Sequence, residues 1–151
     1  MARQKVKKAE AVLKVNQKKA KNNFRKYLIT PEQEFVEAHS FLAIVENKEI
    51  PSLKSLKVSE ESHILGLLDC ICELKRFVLD NIRNNQLKNA DRIFNVMENL
   101  YQTLYPFAMY DKIVKETRRK LDVNRLLVEE TRAVITEEIR RNHFVNALTK
   151  K

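Results

Sequence analysis

Ser59-Glu60-Glu61-Ser62-His63-Ile64-Leu65-Gly66-Leu67-Leu68-Asp69-Cys70-Ile71-Cys72-Glu73-Leu74 begins a helix whose broad apolar face argues for a helical fold. Ser59 followed by acids is an N-cap signature. Ile64, Leu65, Leu67, Leu68, Ile71, Leu74, Phe77, Val78 and Ile82 then form a broad apolar face at helical spacing, as far as about Asn85. A polar stripe is left at Ser62, Gly66, Asp69, Glu73, Arg76, Asp80 and Arg83. Thr30-Pro31 reads as the start of a preceding helix that runs to about Lys48, with Pro51 in the loop between the two. Beyond this helix, further helices are expected over 88–105, ending before Pro106, and over 110–144. Ile113, Leu121, Leu126, Val128, Val134, Ile135 and Ile139 are the expected apolar contacts of the last helix.

The chain has 151 residues, one glycine and three prolines. Sheets need turns built from Gly and Pro, so their scarcity favours a few long helices. The expected fold is all-α: one domain over 1–151, a bundle of about five mostly long helices.

Net charge is +9 and is not evenly spread. Residues 1–29 hold ten Lys/Arg against Glu10, or 10 − 1 = +9; the rest hold 29 − 10 = 19 basic and 20 − 1 = 19 acidic side chains, which cancel. Val6, Ala9, Leu13, Ala20, Phe24 and Leu28 recur at helical spacing, so residues 3–29 read as a basic amphipathic helix. Such a segment is either a solvated basic face or a magnet for a polyanion, nucleic acid or an anionic membrane surface. It has few large apolar residues, which disfavours the membrane. No stretch is long and apolar enough to span a bilayer, and the N-terminus lacks a signal-peptide core. Cys70 and Cys72 fall on different helix faces, a poor arrangement for a disulfide or a Zn site. They are expected to be reduced and buried, with a cytoplasmic location as the default.

Two acid pairs carry the chemistry. Glu34 and Glu37 are three apart and Asp69 and Glu73 four apart, so each pair shares a helix face. If the two faces pack together, four carboxylates converge and repel unless a cation neutralises them, which suggests a Mg²⁺ or Mn²⁺ site. Asp69 and Glu73 also fit the plain wet face of an amphipathic helix, and Glu34 a first-turn acid complementing the helix dipole. Gly66 costs that helix roughly 1 kcal/mol relative to Ala, which a close ligand or a close neighbouring backbone would explain. His39 and His63 lie near the acids and are either ligands, proton shuttles or structural residues. No Glu-x-x-His pair supports a di-iron site, and no phosphate loop, dinucleotide fingerprint, nucleophile elbow or zinc-finger spacing occurs.

Glu34-Phe35-Val36-Glu37-Ala38-His39-Ser40-Phe41 resembles the acidic helix motif of translin-associated factor X, the catalytic relative of translin. Ile64-Leu65-Gly66-Leu67-Leu68-Asp69, with Glu73-Leu74, resembles the second acidic helix of that family, Gly66 included. Arg118-Arg119-Lys120-Leu121-Asp122-Val123-Asn124-Arg125 resembles the basic stretch opening its last long helix. The resemblance covers about residues 32–141. It implies an all-helical, translin-like subunit of the archaeal, catalytic type that assembles into a closed hollow homo-oligomer, binds single-stranded RNA or DNA and cleaves RNA with Mg²⁺. Carried over by position, Glu34, Glu37, Asp69 and Glu73 are the metal-binding, catalytic carboxylates. Family members are usually longer at the N-terminus. The resemblance therefore implies an oligomer that is smaller than eight subunits or altered, or a second polypeptide supplying the missing helices.

The expected activity is metal-dependent endoribonucleolytic cleavage of single-stranded RNA, with one or two metal ions on the four acids and one carboxylate, such as Glu37, as an alternative general base. Phosphate contacts are expected from Lys75, Arg76, Arg118, Arg119 and Arg125 and from the basic helix through Lys7, Lys14, Lys18, Lys21 and Arg25. Tyr27, Tyr101 and Tyr105 either stack on bases or belong to the core or an interface. The alternatives are a non-catalytic translin-like protein binding single-stranded RNA or DNA, and a scaffold whose acid–base pairs only pack helices. The wide apolar face of the helix over 59–85 is expected to leave surplus surface for a subunit interface.

Overall fold

The computed structural model describes residues 28–149 and Ala11. Lys7, Lys14, Lys18, Lys21, Arg25 and Tyr27, and with them the expected basic helix, lie outside the described residues. Helices α1 (Ile29–Val45), α2 (Leu53–Leu56), α3 (Glu60–Arg83), α4 (Leu87–Leu104) and α5 (Thr117–Thr149) make up the fold, with a 3₁₀ segment at Tyr105–Tyr110 before α5. Among the described residues there is no strand, and no helix is long and apolar enough to cross a membrane.

Helix α3 is the centre, packing against α1, α4 and α5. Ser59 caps it as expected, its hydroxyl accepting from the Ser62 N–H. The expected apolar face is covered within the chain: Leu65, Leu67, Leu68, Ile71, Leu74 and Val78 are all buried. Pairings along the helices set their directions. Ser59 bonds Glu32, Gly66 approaches Val36, and Phe41 meets Phe77 edge-on at 5.6 Å, so α1 and α3 run the same way. Asp69 pairs with Lys120 and Lys75 with Glu130, so α5 also runs with α3. The helices end without glycine. Asn47 and Asn85 take left-handed φ values of 56° and 57° just past α1 and α3, a conformation that asparagine tolerates. Arg92 of α4 donates to the Ile44 carbonyl at 3.1 Å, placing a cation at the C-terminus of α1.

The last helix differs from expectation. It begins at Thr117 rather than Tyr110, because Pro106 and its neighbours form the 3₁₀ segment. Its buried stripe is Thr117, Leu121, Asn124, Val128, Thr131 and Ile135. Those spacings of four and three make a narrow heptad seam. Leu126 and Val134 therefore face out, as does Ile113 before the helix. The surplus apolar surface lies here and at Tyr105, Met109 and Tyr110, not on α3, because one narrow seam cannot cover the other faces of α5.

Candidate metal and nucleic-acid site

Gly66 sets the site. A Cβ added there would lie 2.6 Å from the Gln33 carbonyl oxygen and 2.7 Å from the Val36 Cβ. The backbones of α1 and α3 thus approach as closely as glycine allows, and the close neighbouring backbone explains why this helix carries one. The acids follow directly: Glu34 and Glu37 flank Val36, and Asp69 and Glu73 lie one and two turns past Gly66.

Glu37 is where the four acids meet. It is partly buried, and its pKa is pushed from the ordinary 4.5 up to about 7, first by desolvation and then by the charges of Glu34, Asp69 and Glu73. Lys120 of α5 pulls the other way and pairs with Asp69. Arg76 pairs with Glu73 at 2.8 Å. Glu34 is exposed, at the rim. The sign of the Glu37 shift is testable without metal. The native chain keeps a proton that the unfolded chain loses between about pH 4.5 and 7, so this group lowers stability as pH rises through that window. Glu37→Gln is expected to match wild type at pH 4 and exceed it by about 1–2 kcal/mol at pH 8, after discounting for solvent screening. Urea midpoints in EDTA at the two pH values measure this. A difference independent of pH would mean that Glu37 is not strained by its neighbours.

The donor set suits a hard divalent cation, since all four groups are carboxylates. As placed, the four are coupled electrostatically but not closed around one point: among the described residues, no three His, Cys, Asp or Glu side chains form a group able to hold a metal ion. The cation in contact with the cluster's sheltered acid is Lys120. Ser40, one turn past Val36 on α1, is fully buried, and its hydroxyl has no hydrogen-bond partner among the described residues. The expected ligands are thus brought to one place without being assembled into a finished site.

Other expected residues divide. Arg76 stands at the acids through Glu73, and Lys75 beside it pairs with Glu130 at 2.5 Å. Arg118 and Arg125 lie on the opposite flank of the α5 seam from Lys120, by helical spacing. There Arg125 is within electrostatic reach of Tyr101. Arg119 points off the seam and pairs with Glu116 at 3.3 Å. Tyr101 is half-buried against Tyr105, ring centroids 6.0 Å apart, and Tyr105 is exposed. The histidines are tied to backbone, His39 at the Phe35 carbonyl and His63 at the Pro51 carbonyl, each 3.2 Å away. Cys70 and Cys72 are free thiols, Cys70 buried, and burial pushes both pKa values up. A cavity of about 710 Å³ lined by Asn85, Gln86, Asn89, Asn142 and His143 contains none of the four acids.

Three residues at or beside the site were not singled out from the sequence. Lys120 sits inside the basic block but reads like its neighbours. Asn124, one heptad after Thr117, is buried and donates to the Leu68 carbonyl at 2.9 Å, fixing α5 beside Asp69. Glu32 reads as a first-turn acid, yet it is buried and accepts from the Ser59 N–H at 3.1 Å and the Ser59 hydroxyl at 3.0 Å. It holds the start of α3 against α1 and so helps to fix where the acids meet.

The all-α bundle built around α3 is shared with known structures. The chain is similar to AfC3PO in two solved structures, one of them described as a complex with duplex RNA. The TM-scores are 0.76 for the RNA complex and 0.77 for the other, each at 28% identity over 92% of this chain and 74% of that one. These likenesses support the resemblance to the translin family and its all-α fold. The chain is also 43% identical over 124 residues to an uncharacterised protein of Methanocaldococcus jannaschii, covering 82% of this chain. It spans about half the length of that curated relative, 55%. No known family's sequence model matches the chain.

Proposed function

We propose that this chain is a translin-like, metal-dependent endoribonuclease subunit whose four acids cleave single-stranded RNA within a homo-oligomer. The observation that carries this reading is the place of Glu37 where two helices cross, where burial first and then the charges of Glu34, Asp69 and Glu73 push its carboxyl up to about 7. Perturbed, mutually opposed carboxylates of this kind mark functional sites more often than structural ones. Mg²⁺ or Mn²⁺ would be held by Glu37, Asp69 and Glu73 with Glu34 at the rim, and when bound it would supply positive charge to a phosphodiester and to the oxygen that leaves it. Glu37, with its raised pKa, is the acid best placed to hold or pass a proton near neutral pH. Arg76 stands beside the acids through Glu73 and would hold phosphate by charge, with little base readout, and Lys75 on the same helix is a further candidate. The RNA complex of AfC3PO supports an RNA ligand for the fold. The exposed apolar residues at Met109, Ile113 and Leu126 support self-association.

A second reading, RNA binding without cleavage, is favoured by Lys120 on Asp69 and by the unassembled acids. Labelled single-stranded and duplex RNA incubated with Mg²⁺ or with EDTA separates the two. Internal fragments that need Mg²⁺ and vanish with Asp69→Ala are expected. RNA that is retained but never cut under any divalent ion would leave only the binding reading.

A further inference from the structure

We propose that Lys120 is a built-in counter-cation of the acid site, held on Asp69 by α5, which a divalent ion must displace in order to bind. This rests on the acids being a metal site. Among the described residues two cations touch the four acids, and they are not equivalent. Arg76 pairs with Glu73 along the same helix, and its side chain is 75% exposed, so water and salt screen it. Lys120 comes from a different helix and is only 21% exposed, and its partner Asp69 is 29% exposed. Its place on α5 is fixed by the buried seam beside it. Leu121 and Asn124 next to it are seam residues, and Asn124 is bonded to the Leu68 carbonyl, the residue before Asp69. Lys120 also acts on Glu37 and on the Cys72 thiol, so its charge reaches the centre of the cluster and not Asp69 alone.

A carboxylate oxygen occupied by an ammonium is unavailable to a metal ion, and the ammonium repels a divalent charge arriving beside it. Removing the ammonium frees Asp69 and leaves the cluster more negative. Metal affinity should therefore rise while the helices stay in place. The same substitution at a residue that only packs helices would leave metal affinity unchanged or lower it.

The probe is Mn²⁺ alone, its free concentration followed by electron paramagnetic resonance during titration of the metal-free chain, without RNA. Lys120→Met is expected to bind Mn²⁺ about tenfold more tightly than wild type, as for loss of one sheltered charge contact. Lys120→Arg is expected to return close to wild type, because it restores the cation. Lys120→Gln serves where the Met variant does not hold its helical circular-dichroism signal. Equal or weaker Mn²⁺ binding by the folded Met or Gln variant, with wild-type binding abolished by Asp69→Ala, overturns the counter-cation and leaves the metal site standing. Absence of Mn²⁺ binding in every variant sinks the metal site and this role together.

Discussion

Gly66→Ala is expected to destabilise the chain by about 1–3 kcal/mol, although alanine in mid-helix normally gains about 1 kcal/mol over glycine. The reversal comes from what the new methyl group meets. At 2.6 Å from the Gln33 carbonyl oxygen and 2.7 Å from the Val36 Cβ, it is closer than real Cβ contacts come. Neither atom is the far end of a flexible side chain. One is main chain, and the other belongs to a fully buried valine. The clash can be relieved only by moving α1 away from α3, which opens a well-packed interface along its length. The urea midpoint should fall at unchanged m-value, since the surface exposed on unfolding is the same. An alanine variant as stable as wild type would mean that the helices are not held at this distance. Because the same approach brings Glu37 to Asp69 and Glu73, the separated helices should also return the Glu37 pKa toward 4.5.

Gly66 also shows what could be read from the sequence and what could not. A glycine in mid-helix is a local anomaly, and its two explanations, a ligand or a backbone, are visible without coordinates. The centre of each helix was legible for the same reason: apolar spacing and a serine cap are properties of neighbouring residues. The α5 seam was legible only at Leu121, Val128 and Ile135. Every seventh buried position, Thr117, Asn124 and Thr131, is polar, so the stripe reads as surface while Leu126 and Val134 read as core. Those buried polar groups are satisfied by backbone carbonyls, at Val114 for Thr117, Leu68 for Asn124 and Leu127 for Thr131. Hydropathy spacing carries no trace of such bonds.

The acid site was half legible in the same sense. Glu34, Glu37, Asp69 and Glu73 were visible because each pair is local and both stand beside apolar residues. Their cations were not. Lys120 reaches Asp69 across 51 positions of chain and Glu130 reaches Lys75 across 55, and nothing in either segment specifies the partner. Glu32 belongs to the same class, its partner Ser59 lying 27 positions on. The resemblance to the translin family supplied the pairing of the two acidic helices, which spacing alone left open.

Under the nuclease reading, Glu37→Gln is expected to lower Mg²⁺-dependent RNA cleavage by at least about a hundredfold, the scale on which a positioned proton-transfer group acts. Asp69→Ala is expected to fall with it. Glu34→Gln should lose less than about tenfold, because Glu34 is exposed at the rim of the site, where water screens it. The ranking follows from position: Glu37 is half-buried and feels the charges of Glu34, Asp69 and Glu73, and Asp69 is bound to the sheltered cation. Glutamine keeps the size of Glu37 and removes its charge. RNA retention at low salt should therefore hold or rise slightly as the cluster becomes less negative, while cleavage collapses. Cleavage rates with saturating Mg²⁺, and RNA affinity measured in EDTA on the same preparations, separate the two effects. Equal losses at Glu34 and Glu37 would dissolve the ranking and place the chemistry elsewhere on the helices. Loss of RNA affinity in parallel with cleavage would mean that Glu37 supports the fold of the binding face rather than the reaction.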